Sequence, residues 1–329
     1  MSMFARRSFL IGAALAPLAP APAHAQASGT QVWPARPVML IIPFPAGGAM
    51  DLLGRGVAQD LADKLGQQFV VDNRAGAAGN IGAMAAAKAS PDGCTILMAG
   101  AASLALNKFM FSNMPYDPET ELTPIVILSR LPHIFVVNAK VEAKTLKELV
   151  DYAKSNPGKL SAGVPGVGTT AHITLEAFMA ETGAKMTVVP YRSEPQMLTD
   201  LVGGQLDVAC TLATSPGPHV QAGRLRALAV TSATRTRQLP DVPTVEQAGF
   251  PGFEATAWFA LAVPTGTPAD IIAKINAAAN AFILSAKGKE ELNKLDSLPA
   301  GGTPEETKAF IAAEVRKWAP IIKAAKIQM

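Results

Sequence analysis

The sequence of 329 residues contains few of the side chains on which most catalytic sites depend. It has four histidines and neither an H-E-x-x-H metalloprotease motif nor a G-x-S-x-G nucleophile motif. Its predicted loops are poor in the paired acids that a glycosidase needs. The sequence therefore does not indicate an enzyme, and we expect no catalytic residue, no bound metal and no cofactor.

Charged side chains are also scarce, and their signs nearly balance. They make up 17% of the residues and leave a formal net charge of +3. Residues 1–25 hold two arginines and no acidic residue, so their removal lowers the charge to +1. A near-neutral chain gives no electrostatic reason to expect binding to nucleic acid or to a membrane surface.

The two cysteines, Cys94 and Cys210, both lie in apolar runs that predict buried strands. One interpretation is a disulfide between them, which an oxidising compartment would allow. Cysteine also packs well as a small buried side chain, and two free core residues are the favoured interpretation.

Residues 1–25 have the pattern of a cleavable export signal. Arg6 and Arg7 precede an apolar run, and Ala23-His24-Ala25 forms an A-x-A cleavage site. The segment Arg6-Arg7-Ser8-Phe9-Leu10 matches a twin-arginine signal. The apolar run is too short and too rich in proline to span a bilayer. We therefore expect a periplasmic protein.

Two glycine-rich loops, each between a strand and a helix, are the strongest local pattern in the chain. The first follows an apolar strand over 38–43, contains Gly47 and Gly48, and leads to a helix with Asp51 as its predicted N-cap. The second, Asn73 to Gly82, follows the apolar run 69–71. Exposed backbone amides and two helix starts would favour an anion between these loops. The alternative, that each loop merely closes an α/β unit, stays open.

The rest of the chain alternates short apolar runs with amphipathic segments, which predicts an α/β fold with a mostly parallel sheet. Further strands are expected at 94–99, 122–128, 133–138, 160–163, 186–190, 208–212, 225–231 and 258–263, and helices from residues 145, 169, 194, 215, 269 and 303. Because no linker divides the chain, we expect two interleaved lobes. Lobe I would comprise 31–129 plus 233–329, lobe II would comprise 130–232, and the ligand would bind in the cleft between them.

Several stretches together resemble the Bug-type periplasmic solute receptors of the tripartite tricarboxylate transporter family. They include RPVMLIIPFPAGGAMD, VVDNRAGAAGNIGA, SPDGCTILMAG, NPGKLSAG, GVGTTAH, VPYR, LVGGQLDV and LPDVPTVEQAGFPGFEA, in the family's order. The resemblance implies a type II periplasmic-binding-protein fold, a flytrap of two α/β lobes. It also implies a small carboxylate ligand, a membrane permease as partner and no chemistry on the ligand. We expect a monomer.

The resemblance also implies a set of ligand-binding residues. Those expected from lobe I are Phe44, Ala46, Gly47, Gly48, Met50, Ala77, Ala78, Asn80 and Ala101, and those from lobe II are Gly168, Thr169, Tyr191, Arg192 and Thr211. For three of them a purely structural role is the alternative to ligand binding: an N-cap for Thr169, packing for Tyr191 and a solvent-facing side chain for Arg192. His172 is interpreted as a satisfied histidine on a helix surface.

The departures from the family pattern bear on the ligand. Met50 stands where the family usually has Thr, and Thr211 stands where it usually has Asp. Loss of that acid removes a charge that would repel a second carboxylate. A dicarboxylate or an aromatic acid is therefore favoured, with Arg192 as a possible partner of the distal carboxylate. A receptor that signals to a sensor kinase, rather than feeding uptake, is the alternative function.

Overall fold

The computed structural model describes residues 33–329, and the predicted signal peptide lies outside this range. Within it, no single helix is both long and apolar enough to cross a membrane. The helices Ala269–Leu284 and Ala286–Lys294 reach that length and composition only as a pair, which is bent by 72°.

The strands form two sheets that share one long strand. Over the described residues they are β1 (Val38–Ile42), β2 (Phe69–Asn73), β3 (Thr95–Gly100), β4 (Leu122–Asn138), β5 (Ser161–Val164), β6 (Thr187–Pro190), β7 (Val208–Leu212), β8 (Leu225–Val230), β9 (Thr256–Pro264) and β10 (Leu298–Gly301).

The first sheet has the order β2-β1-β3-β9-β4, with β10 beside β4. Strand β1 runs parallel to β2 and β3, whereas β9 runs antiparallel to β3 and β4. The carboxyl ends of β1, β2 and β3 therefore share one edge, where the loops that follow them converge.

The second sheet has the order β4-β7-β5-β6, with β8 also beside β4. Strand β5 is parallel to β6 and β7, so these three strands also end at a common edge. Strand β4 is antiparallel to β7 and β8. Both sheets are thus mixed, which corrects the expectation of a mostly parallel sheet.

Strand β4 joins the two sheets. It pairs with β9 as far as Pro132 and with β7 from His133 onward. The sequence predicted two strands here, and that prediction is wrong because Ser129 and Pro132 do not interrupt the extended backbone. Ser129 and Pro132 both pair with β9, and Pro132 still accepts a hydrogen bond from Ala213 through its carbonyl.

Helices pack on both faces of the two sheets. They are α1 (Ala49–Leu65), α2 (Asn80–Ala87), α3 (Leu146–Ser155), α4 (Thr170–Thr182), α5 (Glu194–Gly203), α6 (Gly217–Gln221), α7 (Ala269–Leu284), α8 (Ala286–Lys294) and α9 (Pro304–Ala324). Thr145, Thr169 and Thr303 accept N-capping hydrogen bonds at the predicted starts of α3, α4 and α9. The sequence did not indicate α8 or β10.

The start of α1 differs from the prediction. Its N-cap is Gly48, which makes no side-chain capping bond, and Asp51 lies inside the first turn. The carboxylate of Asp51 instead reaches back to the loop before the helix. The N-cap prediction for Asp51 is therefore wrong.

The buried core confirms the interpretation of the cysteines. Cys94 and Cys210 are both buried and free. Burial raises the pKa of both thiols, so they remain protonated and behave as small apolar side chains.

Candidate functional site

The first glycine loop, residues 43–48, is held by the carboxylate of Asp51. The backbone N–H of Gly47 donates to Asp51 Oδ2 at 2.9 Å. Asn73, at the end of β2, donates from Nδ2 to Asp51 Oδ1 at 2.9 Å and to the Phe44 carbonyl at 3.1 Å. The Gly47 amide is thus already bonded within the loop, which corrects the expectation that it is free to hold a ligand.

Asp51 remains ionised although it is only 2% exposed. Desolvation by burial would raise its pKa, but hydrogen bonds from Arg55, Gly47 and Asn73 outweigh it and lower the pKa below the usual value. Arg55 Nε donates to Asp51 Oδ2 at 3.0 Å, and its other end bonds Asn73 Oδ1 at 3.2 Å. Asp51 therefore fixes the loop as a buried, fully bonded anion.

The second glycine loop, residues 74–79, has an unusual backbone. Four consecutive residues have positive φ: Gly76 at 130°, Ala77 at 47°, Ala78 at 51° and Gly79 at 91°. Alanine in the left-handed region costs of order 1 kcal/mol, and such strain concentrates at functional sites. The N–H of Gly79 bonds the Gly76 carbonyl, whereas the Ala77 and Ala78 amides are not used in closing this turn. Successive amides in such a turn form a concave anion-binding surface.

The two glycine loops contact each other and rest on a buried polar cluster. A Cβ placed on Gly79 would lie 3.5 Å from the ring of Phe44, so that ring packs against the second loop. Asn107 donates from Nδ2 to the Ala78 carbonyl at 3.0 Å and to Asn80 Oδ1 at 2.7 Å. Asn80 is 2% exposed. The Asn107 side chain therefore links the second loop to the buried side chain of Asn80.

A third loop, residues 165–169, follows β5 of the second sheet. Thr169 accepts from the His172 amide and donates to the Gly166 carbonyl at 3.0 Å. The Gly168 N–H donates to His172 Nδ1 at 3.1 Å. His172 is 8% exposed, so the expectation of a surface histidine is wrong. Its imidazole closes the loop as a hydrogen-bond acceptor.

Behind this loop lies a fully buried histidine, His133. Its Nε2 is 3.0 Å from Thr170 Oγ1, and its Nδ1 is 3.4 Å from Thr174 Oγ1. Desolvation by burial lowers the pKa of His133 to about 4. The ring is therefore neutral at neutral pH and orients the Thr170 hydroxyl.

The three loops enclose a cavity of about 300 Å³, within the size range of small-molecule sites. Six of the predicted site residues line this cavity: Phe44, Met50, Ala78, Ala101, Gly168 and Thr169. The others lie outside its lining: Ala46, Gly47, Gly48, Ala77, Asn80, Tyr191, Arg192 and Thr211. Most of the lining side chains are apolar.

Sequence reasoning missed part of this lining, namely Gly100, Ala102, Ala257, Trp258, Phe259 and Met329, whereas Val167 and Thr170 belong to the GVGTT stretch that it indicated. Phe259 pairs with Gly100 across β9 and β3. Met329 donates its backbone N–H to the Met110 carbonyl at 3.0 Å, and its Sδ would lie 2.8 Å from a Cβ on Gly168. These contacts join distant parts of the chain, and no local signal in the sequence indicates them.

The predicted distal residues form a separate group at the end of β6 and β7. Tyr191 donates its hydroxyl to Asp200 Oδ2 at 2.9 Å, and Arg192 is exposed. Thr211 is fully buried, and its hydroxyl donates to the carboxyl group of Glu194. The reasoning that Thr211 leaves this place without an acid is therefore corrected, because Glu194 brings a carboxyl group from another element.

Comparison with known proteins places these features in context. A family model described as "Tripartite tricarboxylate transporter family receptor" matches residues 53–327. The protein BugT of Bordetella pertussis is 36% identical over 294 residues, which cover 88% of this chain and 90% of BugT.

Two solved structures with bound ligands are similar to this chain. One is R. palustris Rpa4515 with adipate, at 36% identity and a TM-score of 0.79, covering 90% of this chain and 99% of the other. The second is MatC of Rhodopseudomonas palustris with bound malate, at 28% identity and a TM-score of 0.75, covering 88% and 100%.

Proposed function

Because the chain belongs to the family of tripartite tricarboxylate transporter receptors, we propose that it binds an aliphatic dicarboxylate and delivers it to a permease of that transporter type. The family consists of periplasmic receptors for small carboxylates, with a two-lobe α/β binding-protein fold, which work with a membrane transporter and are not enzymes. The choice of ligand rests on one observation, the apolar cavity between the three loops.

In this proposal one carboxylate of the ligand lies between the two glycine loops. The amides of Ala77 and Ala78 in the strained turn, and the uncapped first turn of α1 after Gly48, are donors of the kind that hold an anion. Because Asp51 and Asn107 fix the two loops before the ligand arrives, little ordering cost remains on binding.

The middle of the ligand would be a plain hydrocarbon chain. The polar side-chain groups of the cavity lining are the hydroxyls of Thr169 and Thr170 and the indole N–H of Trp258, and they are already bonded to Gly166, His133 and Glu314. A ligand hydroxyl would find no unengaged side-chain partner there, and burying it without one costs free energy. An adipate-like acid is thus favoured over a malate-like one, and the apolar walls also leave room for an aromatic acid.

We extend the proposal to the two lobes and the route to the periplasm. Lobe I would comprise residues 31–129 plus 233–329 and lobe II residues 130–232, with the segment as far as Phe253 lying against lobe II. The change of sheet along β4 after Pro132 supports this division. Phe253 falls in the second part of lobe I but packs against Phe178 of α4, which supports the contact of that segment with lobe II. Export by the twin-arginine route and a monomeric state complete the proposal.

Calorimetric titration with a matched ligand series tests the ligand class. The series comprises adipate, malate, hexanoate and benzoate. We expect adipate to bind most tightly and hexanoate, which lacks the second carboxylate, more weakly. A ligand at a hundredfold excess over its Kd stabilises the folded state by about 2.7 kcal/mol, so thermal unfolding gives an independent measure. Malate binding more tightly than adipate, or no binding of any dicarboxylate, would contradict the proposal.

A further inference from the structure

Trp258 of β9 is the largest side chain in the cavity lining, and it is only 1% exposed. It belongs to the same buried cluster as Ala101, which also lines the cavity, whereas its neighbour Phe259 belongs to the cluster that contains Met50. Because successive side chains of a strand point to opposite faces, the indole lies on the face of β9 where Phe310 of α9 packs, with 5.6 Å between the ring centroids. The cavity therefore has an aromatic wall on this face.

The N–H group of this indole is bonded outside the cavity. Trp258 Nε1 donates to Glu314 Oε2 at 2.9 Å, and Glu314 belongs to α9, whose residues 304–324 are all absent from the cavity lining. Trp318, one turn further along α9, donates its own Nε1 to the same oxygen at 3.0 Å. One carboxylate oxygen thus accepts two indole N–H groups, and bonds to a carboxylate are roughly twice as strong as bonds between neutral groups.

The packing around the indole leaves it little freedom to turn. Trp258 pairs with Arg130 across β9 and β4, and the Arg130 guanidinium lies 4.6 Å from the centre of the Phe310 ring. The Phe310 ring in turn meets the indole edge-on, at an interplanar angle of 76°. A buried N–H without an acceptor costs free energy, so the N–H remains on Glu314 when the cavity is filled.

We propose that Glu314 is a positioning residue for ligand selection: it holds the Trp258 N–H on the α9 side, so that only carbon atoms of the indole face the ligand. This inference rests on the proposed function and extends it to a residue outside the cavity. A methylene chain packs against such a wall at no cost, whereas a ligand hydroxyl buried there has no partner and binds more weakly. Glu314 therefore acts through Trp258 on the choice between plain and hydroxylated diacids, without touching the ligand.

The experiment compares adipate with 3-hydroxyadipate, which differ by one hydroxyl group, by calorimetric titration. Wild type should prefer adipate by about tenfold or more, because the hydroxyl is buried without a partner. Glu314→Leu keeps the bulk of the side chain but removes the acceptor. The unpaired Trp258 N–H then turns to the ligand hydroxyl, and the preference should fall to within about threefold.

Two further variants separate the acceptor from the charge and from general effects on α9. Glu314→Gln removes the negative charge but keeps an acceptor oxygen, so it should retain the wild-type preference for adipate. Glu305→Leu, at an exposed acid in the first turn of α9, is the matched control and should also retain it.

The indole N–H resonances in NMR spectra supply a readout that a loss of packing alone would not reproduce. The chain has three tryptophans, and Trp258→Phe identifies the Trp258 signal among them. In wild type this signal should stay downfield, where a bond to a carboxylate places it, with either diacid. In Glu314→Leu it should move upfield and return downfield with 3-hydroxyadipate but not with adipate. Trp258→Phe combined with Glu314→Leu has no N–H at this place, so the preference for adipate should return.

The outcomes separate this inference from the proposed function. An equal preference in wild type and Glu314→Leu, or a loss of preference in Glu314→Gln, would overturn the role of Glu314 and leave the dicarboxylate function standing. If wild type binds neither diacid, both are overturned. If Glu314→Leu fails to fold, the wild-type resonance decides. A Trp258 signal that moves with 3-hydroxyadipate but not with adipate would show that Glu314 does not retain the N–H, and an unmoved signal would support the inference.

Discussion

The imidazole Nε2 of His133 lies 3.0 Å from the hydroxyl oxygen of Thr170, the first residue of α4 and part of the cavity wall. His133 belongs to the second-sheet half of β4, directly after Pro132. The strand shared by both sheets thus supports the loop that faces the ligand site.

His133 should make the protein less stable in mild acid. Its pKa is about 4 in the folded protein and near 6.5 in the unfolded chain, so the unfolded state binds more protons between these values. The stability therefore falls as the pH drops from about 6.5 to about 4, by about 3 kcal/mol in total. Urea unfolding of wild type and His133→Gln at pH 7.5, 5.5 and 4.5 measures this.

His133→Gln should be less stable than wild type at pH 7.5 and should lose less stability on acidification. His219→Gln is the control, since that histidine lies on α6 away from the loop. Equal acid sensitivity in wild type and His133→Gln would show that another group causes it.

Gly48→Val should abolish carboxylate binding while the protein still folds. The φ of Gly48 is −77°, which suits a β-branched residue, and a Cβ there meets only the Pro45 carbonyl oxygen, at 3.7 Å. The added side chain blocks approach of the ligand to the uncapped first turn of α1. Calorimetry should show a loss of at least about a hundredfold in affinity, or about 2.7 kcal/mol. Gly217→Val, outside the cavity, should bind normally.

Asp51→Ala should weaken binding without any contact between Asp51 and the ligand. Removal of the carboxylate leaves the Gly47 amide and Asn73 without their partner and frees the first glycine loop. We expect a loss of about 1.5–3 kcal/mol in stability for hydrogen bonds to a charged group, and a lower affinity for adipate and hexanoate alike. Urea unfolding and calorimetry together check this. A change in the ratio of the two affinities would instead indicate direct contact with the distal end.

Met329→Ala should shift the preference towards longer dicarboxylates. The Met329 side chain lines the cavity beside Gly168, so its truncation enlarges the space available to the ligand. The affinity for the eight-carbon diacid should rise relative to that for adipate. Met179→Ala, at a half-buried methionine of α4 outside the cavity, is the control. An unchanged ratio in Met329→Ala would show that this side chain does not limit ligand length.

Local patterns in the sequence predicted much of the framework. The apolar run of β1, the two glycine loops and the threonine caps at Thr145 and Thr169 all depend on residues within a few positions of each other. Turn formation and helix capping depend on neighbouring residues, so these features could be predicted without knowledge of the tertiary structure. The same holds for the two buried cysteines, which lie inside β-rich apolar runs or at their edge.

Other features depend on contacts between distant parts of the chain, and the tertiary structure decided them. Asp51 bonds the loop before its helix because Asn73, on the neighbouring strand, holds its other oxygen. Glu194 meets Thr211 only because β6 and β7 end at the same edge of the second sheet. Met329 reaches the cavity through a bond to Met110. Residue types and short spacings determine elements and caps, whereas the partners of buried polar groups follow from strand order, which no short window of sequence contains.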